Sequence, residues 1–389
     1  MAVQSVLDEA REYLNAWRSL PYPEAIAPSE LWRNHIAMQL EPILQTVKLP
    51  ETVVEHVTGQ NITTDPLATD KPLFKQVSGD YLEWLEKFGY PLESFPPTVQ
   101  ESVLAAPSVV AMHRGRRYST AFLYHLGIAA NIQKFVGQFE SVLEIGAGHG
   151  GLPRLMKLLN PSAKFVLIDL PETLFLCYVF LRAHFPNCTF EAVVDQDQLK
   201  KSARSADFTF VPAQLAGTLA GSSFDLAINT ASLSEMTQTA ADWYLNLIEN
   251  ETKVKHFCHL NRFGTPETFL GDACGTSFGL DPNWEVLSWR WRGKQNFTNL
   301  HPEWPPLLNL ILRRIPKQVR SKVLSDGMAG SLRTSLATTP EKSDEWYVGM
   351  WDLIRLGRKH SDIDNYLKII RADSWRETPY YEALRAKVT

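Results

Sequence analysis

The chain has 389 residues, of which 44% are hydrophobic and 21% charged, values ordinary for a globular protein with a substantial core. Its formal net charge of -4 excludes a global electrostatic attraction to nucleic acid or to an anionic membrane surface. The 4 cysteines lie far apart without a C-x-x-C pair, which argues against a zinc knuckle and a disulfide framework.

The first third of the chain shows helical periodicity. Apolar positions recur at three-to-four spacing in "SVLDEAREYLNAWRSL", "SELWRNHIAMQLEPILQTV" and "DYLEWLEKFG", and "GRRYSTAFLYHLGIAANIQKFVGQF" predicts one more long helix. The N-terminus carries acids where a secretory signal would be basic, and no apolar run approaches membrane-spanning length. We therefore expect a helical N-terminal region or lid over residues 1–135 and a cytoplasmic protein without membrane insertion.

The middle of the chain alternates short apolar or β-branched runs with helical stretches. The candidate strands are "SVLEI", "KFVLID", "FTFVP", "FDLAIN" and "VKHFCHL", with "WEVLSWRWRG" as a late, antiparallel addition. This pattern predicts an α/β fold, with a Rossmann-like sheet and helices on both faces over residues 136–295. Beyond it, "LLNLILRRIPKQVRSKVL" and "WYVGMWDLIRLGRKHSDIDNYLKIIRA" predict a helical C-terminal extension over residues 296–389.

The glycines after the first predicted strand fit two nucleotide-binding patterns. Gly146, Gly148 and Gly151 form the G-x-G-x-x-G of dinucleotide enzymes, whereas Gly146, Gly148 and Gly150 form the G-x-G-x-G of S-adenosylmethionine (SAM) enzymes. In both, the glycines let the backbone approach a ligand, and the following helix offers its N-terminal amides to an anion. The loop by itself leaves the cofactor open.

Two acidic residues favour SAM over a dinucleotide as the cofactor. Glu144 stands two positions before the first glycine, where a carboxylate suits the amino and sulfonium groups of SAM and would repel a pyrophosphate. Asp169 closes the next strand, where an acid accepts hydrogen bonds from ribose hydroxyls in either class. The predicted cofactor is therefore SAM, and its predicted binding residues are Tyr118, Glu144, Gly146, Ala147, Gly148, Gly150, Asp169, Leu170 and Asn229.

Three stretches carry a family resemblance. "LEIGAGHGGL", "FVLIDLPETLFLCYVFLRAHFP" and "FDLAINTASLSEM" resemble, in order and spacing, the sugar O-methyltransferases, a branch of the class I SAM-dependent methyltransferases. The resemblance covers roughly residues 105–295. It implies a seven-stranded class I sheet and methyl transfer to a sugar hydroxyl, often in polysaccharide or glycosylated natural-product assembly.

The predicted chemistry follows the carboxyl ends of two strands, because ligands of open α/β sheets lie outside those ends. Residues 229–235 begin at the last residue of "FDLAIN", and residues 259–262 follow "VKHFC", so we expect the acceptor pocket between these two clusters. An alcohol must lose its proton, and His259, with an intrinsic pKa near neutrality, is the candidate base. Glu235 is expected either to accept the proton itself or to orient the His259 ring. The alternatives are a structural histidine and a helix-capping acid.

A basic stretch, "MHRGRRYSTAFLYH", precedes the long helix. It is either a solvated turn or a segment over the cofactor, with Tyr118 near the methionyl end and an arginine near an anionic acceptor. Two roles are open for the tryptophans of the last predicted strand, which either stack on a sugar ring or lie in the core: Trp284, Trp289 and Trp291. The predicted substrate-binding residues are His113, Arg117, Ser232, Asn261 and Arg262. No compact metal-binding motif occurs, and no metal is predicted.

These patterns lead to one functional hypothesis with three rivals. We expect a SAM-dependent O-methyltransferase that acts on a sugar or a glycosylated small molecule and not on nucleic acid. The rivals are an O- or N-methyltransferase for a non-sugar natural product, an NAD(P)-binding oxidoreductase, and a SAM-binding protein without catalysis. The helical ends are expected to form a homodimer interface or to cover the pocket.

Overall fold

The structure is a computed structural model that describes residues 3–59, 69–87, 89–197, 205–262, 284–292 and 307–315. It divides into two compact units. Unit 1 contains the described residues up to Glu24 and from Trp32 to Ala220, and unit 2 contains Ala25–Leu31 and the described residues from Gly221 onward. The helices, in chain order, are α1 (Val3–Arg18), α2 (Glu30–His35), α3 (Glu41–Thr46), α4 (Pro50–Gly59), α5 (Pro72–Lys87), α6 (Thr120–Val136), α7 (Gly151–Leu159), α8 (Pro171–His184) and α9 (Gln238–Asn246).

Helices α1 and α6 show why the N-terminal region is helical. In α1 the buried residues Leu7, Ala10, Leu14 and Trp17 recur at the three-to-four spacing that places them on one face. Helix α6 begins where the Ser119 side chain accepts a hydrogen bond from the backbone N–H of Phe122, and it ends at Gly137, whose φ of 74° suits glycine. These helices confirm the helical character predicted for this part of the chain.

A hairpin precedes α6 and corrects the predicted start of that helix. Strands β1 (Ala111–His113) and β2 (Arg116–Tyr118) pair antiparallel, with His113 opposite Arg116. The two residues between them, Arg114 and Gly115, have φ values of 47° and 81°, as a two-residue hairpin turn requires. The helix predicted from the "GRRYST" stretch therefore starts only at Thr120, because the turn and β2 occupy the residues before it.

Unit 1 contains a parallel sheet. Its strands are β3 (Ser141–Ile145), β4 (Lys164–Asp169), β5 (Phe190–Ala192) and β6 (Phe208–Pro212), paired in the order β3-β4-β6-β5. The central strands are buried on both faces, as parallel strands covered by helices usually are. Because all four strands run in one direction, their carboxyl ends lie along one edge, which we call the carboxyl edge of unit 1.

Unit 2 contains a mixed sheet. Strands β7 (Ser223–Thr230) and β8 (Lys253–Arg262) are parallel, whereas β10 (Leu307–Arg314) pairs antiparallel with β8 and with β9 (Trp284–Arg292). Both sheets together confirm the predicted α/β class with a Rossmann-like, mostly parallel arrangement of strands and helices. The five predicted internal strands from "SVLEI" to "VKHFCHL" are confirmed.

Strand β10 corrects a second prediction. "LLNLIL" was expected to be helical, but it forms a strand whose consecutive residues Leu310, Ile311 and Leu312 are all buried. A short, continuously apolar run fits a strand buried on both faces as well as it fits a helix, so periodicity cannot separate the two. The other predicted C-terminal helix lies outside the described residues. Within the described part, no helix combines the length and apolar character needed to cross a bilayer.

Two glycines allow a stability test of this packing. A Cβ on Gly151 would lie 2.6 Å from Cε1 of His125 and 2.8 Å from Nε2 of His149, whereas a Cβ on Gly79, inside α5, meets no atom within 4 Å. We expect Gly151→Ala to lower the free energy of unfolding by about 1–3 kcal/mol because the rings must move. The matched variant Gly79→Ala should raise it by about 0.5–1 kcal/mol. Urea denaturation measures both, and effects of the same sign would contradict this packing.

Candidate functional site

The turn between β3 and α7 has a backbone that only glycines adopt easily. Gly146, Gly148 and Gly150 have φ values of 76°, 56° and 88°. The backbone N–H groups of Gly146 and Ala147 donate to the carbonyl oxygen of Ile168 at 2.8 and 3.2 Å, which fixes the turn against β4. A Cβ placed on Gly148 would meet no protein atom within 4 Å, so this side of the turn has room for a ligand.

The third glycine of the dinucleotide pattern has a packing explanation. Gly151 lies against the rings of His125 and His149, which leave no room for a side chain. Burial lowers the pKa of His149 to about 4, with a smaller contribution from Arg154, so this ring is neutral at pH 7. Gly151 is therefore required by the contact of α7 with its neighbours, and its presence gives no support to pyrophosphate binding.

Asp169, at the end of β4, holds the glycine turn. Its Oδ2 accepts a hydrogen bond from the backbone N–H of Gly148 at 2.8 Å, and its Oδ1 accepts one from Leu170 at 2.7 Å. The structure thus brings Asp169 and Leu170 together with the glycine turn, and the predicted ribose contact of Asp169 stays a prediction.

Glu144 is a buried acid in the strand that leads to the turn. Its exposure is 1%, and its Oε2 has no hydrogen-bond partner. Burial raises the pKa of Glu144 well above its ordinary value, and the negative charge of Asp169 raises it further. Two carboxyl groups therefore influence each other beside a turn with open space, an arrangement that a cationic ligand group would stabilise.

The residues of the basic stretch lie in the hairpin and the helical layer of unit 1. Arg117 donates from Nη2 to the carbonyl oxygen of Ser102 at 2.9 Å. Tyr118 is buried and stacks on Phe74 with 5.9 Å between ring centroids. The half-buried His113 has Nε2 3.9 Å from a carboxylate oxygen of Glu93. These contacts explain the three side chains structurally, so their predicted ligand contacts stay predictions.

In unit 2, two asparagines organise the turn after β7. Asn261 donates from Nδ2 to Oδ1 of Asn229 at 2.9 Å, and Asn229 donates from Nδ2 to Oγ of Ser232 at 2.6 Å. Ala231 has a φ of 65°, a left-handed conformation that is uncommon for a residue with a side chain. Its backbone N–H donates to the carbonyl oxygen of Leu260 at 2.6 Å. The structure thus brings the predicted residues Asn229, Ser232 and Asn261 into one network.

His259 and Glu235 are both buried. His259 pairs with Asn229 across β7 and β8, is 1% exposed and meets Phe257 edge to face. The expectation that its pKa lies near neutrality is wrong, because burial lowers that pKa to about 3. Glu235 ends the 3-10 helix Leu233–Glu235, and its backbone carbonyl accepts a hydrogen bond from Oγ of Ser29 at 2.6 Å.

Among the remaining predicted residues of unit 2, the structure describes the side chain of Trp284 but only the backbone of the others. Trp284 is a core residue, because its Nε1 donates to Oε1 of Glu249 at 3.0 Å and the guanidinium of Arg314 lies 4.5 Å from its ring centroid. Arg262, Trp289 and Trp291 are described only as backbone positions of β8 and β9, so their side chains lie outside the described part of the structure. Across the described ranges, no group of three or more His, Cys, Asp or Glu side chains is arranged to hold a metal.

Sequence reasoning missed Tyr22, which belongs to the surroundings of Asp169. The side chain of Tyr22 is half-buried, and the charges of Glu172 and Asp169 both act on its hydroxyl. Its sequence signal is the unusual run Pro21-Tyr22-Pro23, which periodicity analysis treats only as a helix break.

Comparison with solved structures gives partial likenesses. An O-methyltransferase family protein from Burkholderia thailandensis has 12% identity and a TM-score of 0.31, and the match covers 51% of this chain and 60% of that protein. The 1,6-didemethyltoxoflavin-N1-methyltransferase of the same organism has 15% identity, a TM-score of 0.34 and coverages of 49% and 78%. The N-methyltransferase NodS from Bradyrhizobium japonicum has 12% identity, a TM-score of 0.34 and coverages of 49% and 85%.

This chain thus spans less than two thirds of the length of the first of these proteins. No protein-family model matches the sequence. No curated protein matches it either.

The pH dependence of stability tests the burial of Glu144. The ordinary pKa of a glutamic acid is 4.5, and that of Glu144 is higher in the folded state. Such an acid contributes its full stabilisation of the folded state below pH 4.5, and this stabilisation is lost as the pH rises through the folded-state pKa. For the ligand-free protein, the free energy of unfolding of the wild type relative to Glu144→Gln should therefore fall between about pH 5 and about pH 8. Urea denaturation at several pH values measures this difference.

The exposed acid Glu140, which directly precedes β3, provides the control. The variant Glu140→Gln removes a carboxyl group that is not buried, so it measures the effect of losing an acid without the effect of burial. If the free energies of unfolding of the wild type and Glu144→Gln change in parallel with pH, burial does not disfavour the charged form of Glu144.

Proposed function

We propose that this protein is a SAM-dependent O-methyltransferase that transfers a methyl group to a hydroxyl of a sugar or a glycosylated small molecule. The observation that carries the proposal is Glu144, a buried carboxyl group with an unpartnered oxygen beside a glycine turn that has open space. Burying a charge is costly unless the charge is paired. A ligand with a positive end would compensate Glu144, and SAM has both an ammonium and a sulfonium group.

The same two acids argue against the dinucleotide alternative. A pyrophosphate at the glycine turn would add negative charge beside Asp169, whose charge already disfavours the ionised form of Glu144, and it would bring no cation to that carboxyl group. In our proposal the N-terminal amides of α7 bind the methionyl carboxylate of the cofactor, and Glu144 binds its ammonium group. Gly146, Ala147 and Gly148 let the cofactor approach the backbone closely, and Asp169 with Leu170 binds the ribose.

The acceptor chemistry is assigned to unit 2. SAM supplies an electrophilic methyl group, so the residues of the protein must orient an acceptor oxygen and take its proton. Burial keeps the imidazole of His259 unprotonated at neutral pH, the state a proton acceptor needs, although its low pKa makes it a weak base. A carboxylate oxygen of Glu235 is the second proposed acceptor. The strained turn at Ala231, held by Asn229 and Asn261, is proposed to present Ser232 to the substrate.

The sugar preference and the cellular setting rest on the sequence. The resemblance to sugar O-methyltransferases supports a sugar or glycoside acceptor, and a net charge of -4 gives no support to nucleic-acid binding. A cytoplasmic setting is proposed from the sequence, whose 4 cysteines lie far apart without a C-x-x-C pair. The homodimer, and the domain boundaries at residues 135 and 295, remain proposals made from the sequence.

Calorimetry with the reaction product tests the cofactor assignment. We expect S-adenosylhomocysteine to bind the wild type and NAD not to bind, because the ammonium group of the former allows Glu144 to ionise, whereas a pyrophosphate would add negative charge beside Asp169. The variant Glu144→Gln should bind S-adenosylhomocysteine roughly 10-fold to 100-fold more weakly, since a charge-assisted hydrogen bond is lost. Glu140→Gln should bind like the wild type. Tight NAD binding without affinity for S-adenosylhomocysteine would overturn the proposal.

An acceptor screen then separates the methyltransferase alternatives. The wild type and SAM are incubated with nucleotide sugars, glycosides and non-sugar hydroxyl compounds, and methylated product is measured by mass spectrometry. The proposal predicts a mass gain of one methyl on a sugar-containing acceptor. Turnover confined to non-sugar acceptors would contradict the sugar assignment, and cofactor binding without turnover on any acceptor would indicate a non-catalytic SAM-binding protein.

A further inference from the structure

The end of helix α1 is attached to the carboxyl edge of unit 1. The indole Nε1 of Trp17 donates to the carbonyl oxygen of Val193 at 2.8 Å, and Nε2 of Gln214 donates to the carbonyl oxygen of Trp17 at 3.3 Å. Val193 directly follows β5, and Gln214 lies two residues after β6. Because ligands of open α/β sheets lie outside the carboxyl ends of the strands, this attachment brings the chain after α1 to the ligand side.

An ion pair strengthens this attachment. Nε of Arg18 lies 2.8 Å from Oε1 of Glu172, a largely buried acid in the first turn of α8. The same guanidinium also pairs with Glu41. Arg18 is exposed and Glu172 is buried, so the pair gives the buried carboxylate a counter-charge and holds the end of α1 beside the first turn of α8. Glu172 stands three residues after Asp169, the proposed ribose-binding acid.

Tyr22 is the side chain that this segment presents. Pro21 and Pro23 fix the backbone on either side of it in an extended form, which lowers the conformational entropy lost when a ligand binds. Burial raises the pKa of the Tyr22 hydroxyl above its ordinary value of 10.0, and Glu172 and Asp169 raise it further. The hydroxyl therefore stays protonated at neutral pH and can donate a hydrogen bond.

Gln214, which is bonded to Trp17, gives independent evidence for a ligand beside this segment. Its Nε2 is the donor to the carbonyl oxygen of Trp17 described above, which places its side chain beside the end of α1. Its residue exposure is only 8%, yet its Oε1 has no hydrogen-bond partner. A buried acceptor without a partner is uncommon, and a donor on a bound molecule would satisfy it.

We propose that Tyr22 contacts the nucleoside part of the cofactor, and that the segment Trp17–Tyr22 is a wall of the cofactor site. The inference rests on the proposed function, since it takes SAM as the ligand at the glycine turn. An aromatic ring can stack on a purine base, and the phenol can donate to a ribose or base acceptor. Helix α1 thus serves cofactor binding, a role that the sequence had not assigned to it.

Titration of S-adenosylhomocysteine into three tyrosine variants tests this role. Tyr22→Ala should weaken binding roughly ten-fold or more, because both the ring and the hydroxyl are lost. Tyr22→Phe keeps the ring and should weaken binding by roughly two-fold to ten-fold. The control is Tyr13→Phe, whose hydroxyl bonds Glu9 within α1 at 3.1 Å, and it should leave the affinity unchanged.

The outcomes separate this inference from the proposed function. A wild type that binds S-adenosylhomocysteine, together with a folded Tyr22→Ala variant within two-fold of its affinity, overturns the inference alone. A wild type that does not bind S-adenosylhomocysteine overturns the proposed function and the inference with it. If Tyr22→Ala does not fold, hydrogen exchange of the wild type decides. The ligand must slow exchange at residues 19–24 more than at residues 89–94 after α5, and equal slowing overturns the inference.

Discussion

The ionisation of a buried carboxyl group governs the candidate site. Glu144 lies in a strand whose residues around it are buried, and Asp169, the charged group that acts on its pKa within the described part of the chain, carries the same sign. In a medium of low dielectric constant this arrangement favours the neutral acid, and it can hold a negative charge only when a positive group arrives. A positive group at the glycine turn would therefore favour the ionised form of Glu144.

The glycine turn depends on the same pair of strands. Asp169 accepts a hydrogen bond from Gly148 while the carbonyl oxygen of Ile168 accepts from Gly146, so the end of β4 fixes the loop that follows β3. Asp169 therefore has two effects on the site, since it shapes the turn and raises the pKa of Glu144. A substitution at Asp169 would change both, which makes Glu144 the cleaner position for separating charge from geometry.

The secondary structure could be predicted from the sequence where a local pattern of residues determined it. The apolar run of β4 with its terminal Asp169, and the three-to-four spacing in α1, leave little choice of secondary structure. The sequence was insufficient for β10, whose short apolar run fits two conformations, and for the hairpin before α6, whose turn depends on the left-handed backbone of Arg114. The pKa of His259 could not be predicted, because burial is set by residues distant in sequence.

The cofactor assignment was within reach of the sequence because one residue, Glu144, separates two ligands by charge. The roles of Gly151 and Tyr22 were not, since each depends on a long-range contact. Gly151 is required by the rings of His125 and His149, and the segment before Tyr22 is held by contacts distant in sequence, among them the hydrogen bond between Gln214 and Trp17. Neither contact leaves a periodic pattern in the chain.

The most direct test of this account counts the protons released when the ligand binds. Titration calorimetry of S-adenosylhomocysteine, repeated between about pH 5 and about pH 8 in buffers of different ionisation enthalpy, gives that number at each pH. The account predicts that the wild type releases a proton on binding within this range, because the ammonium group of the ligand ionises Glu144, and that Glu144→Gln does not. Equal proton counts for the two proteins at every pH would contradict it.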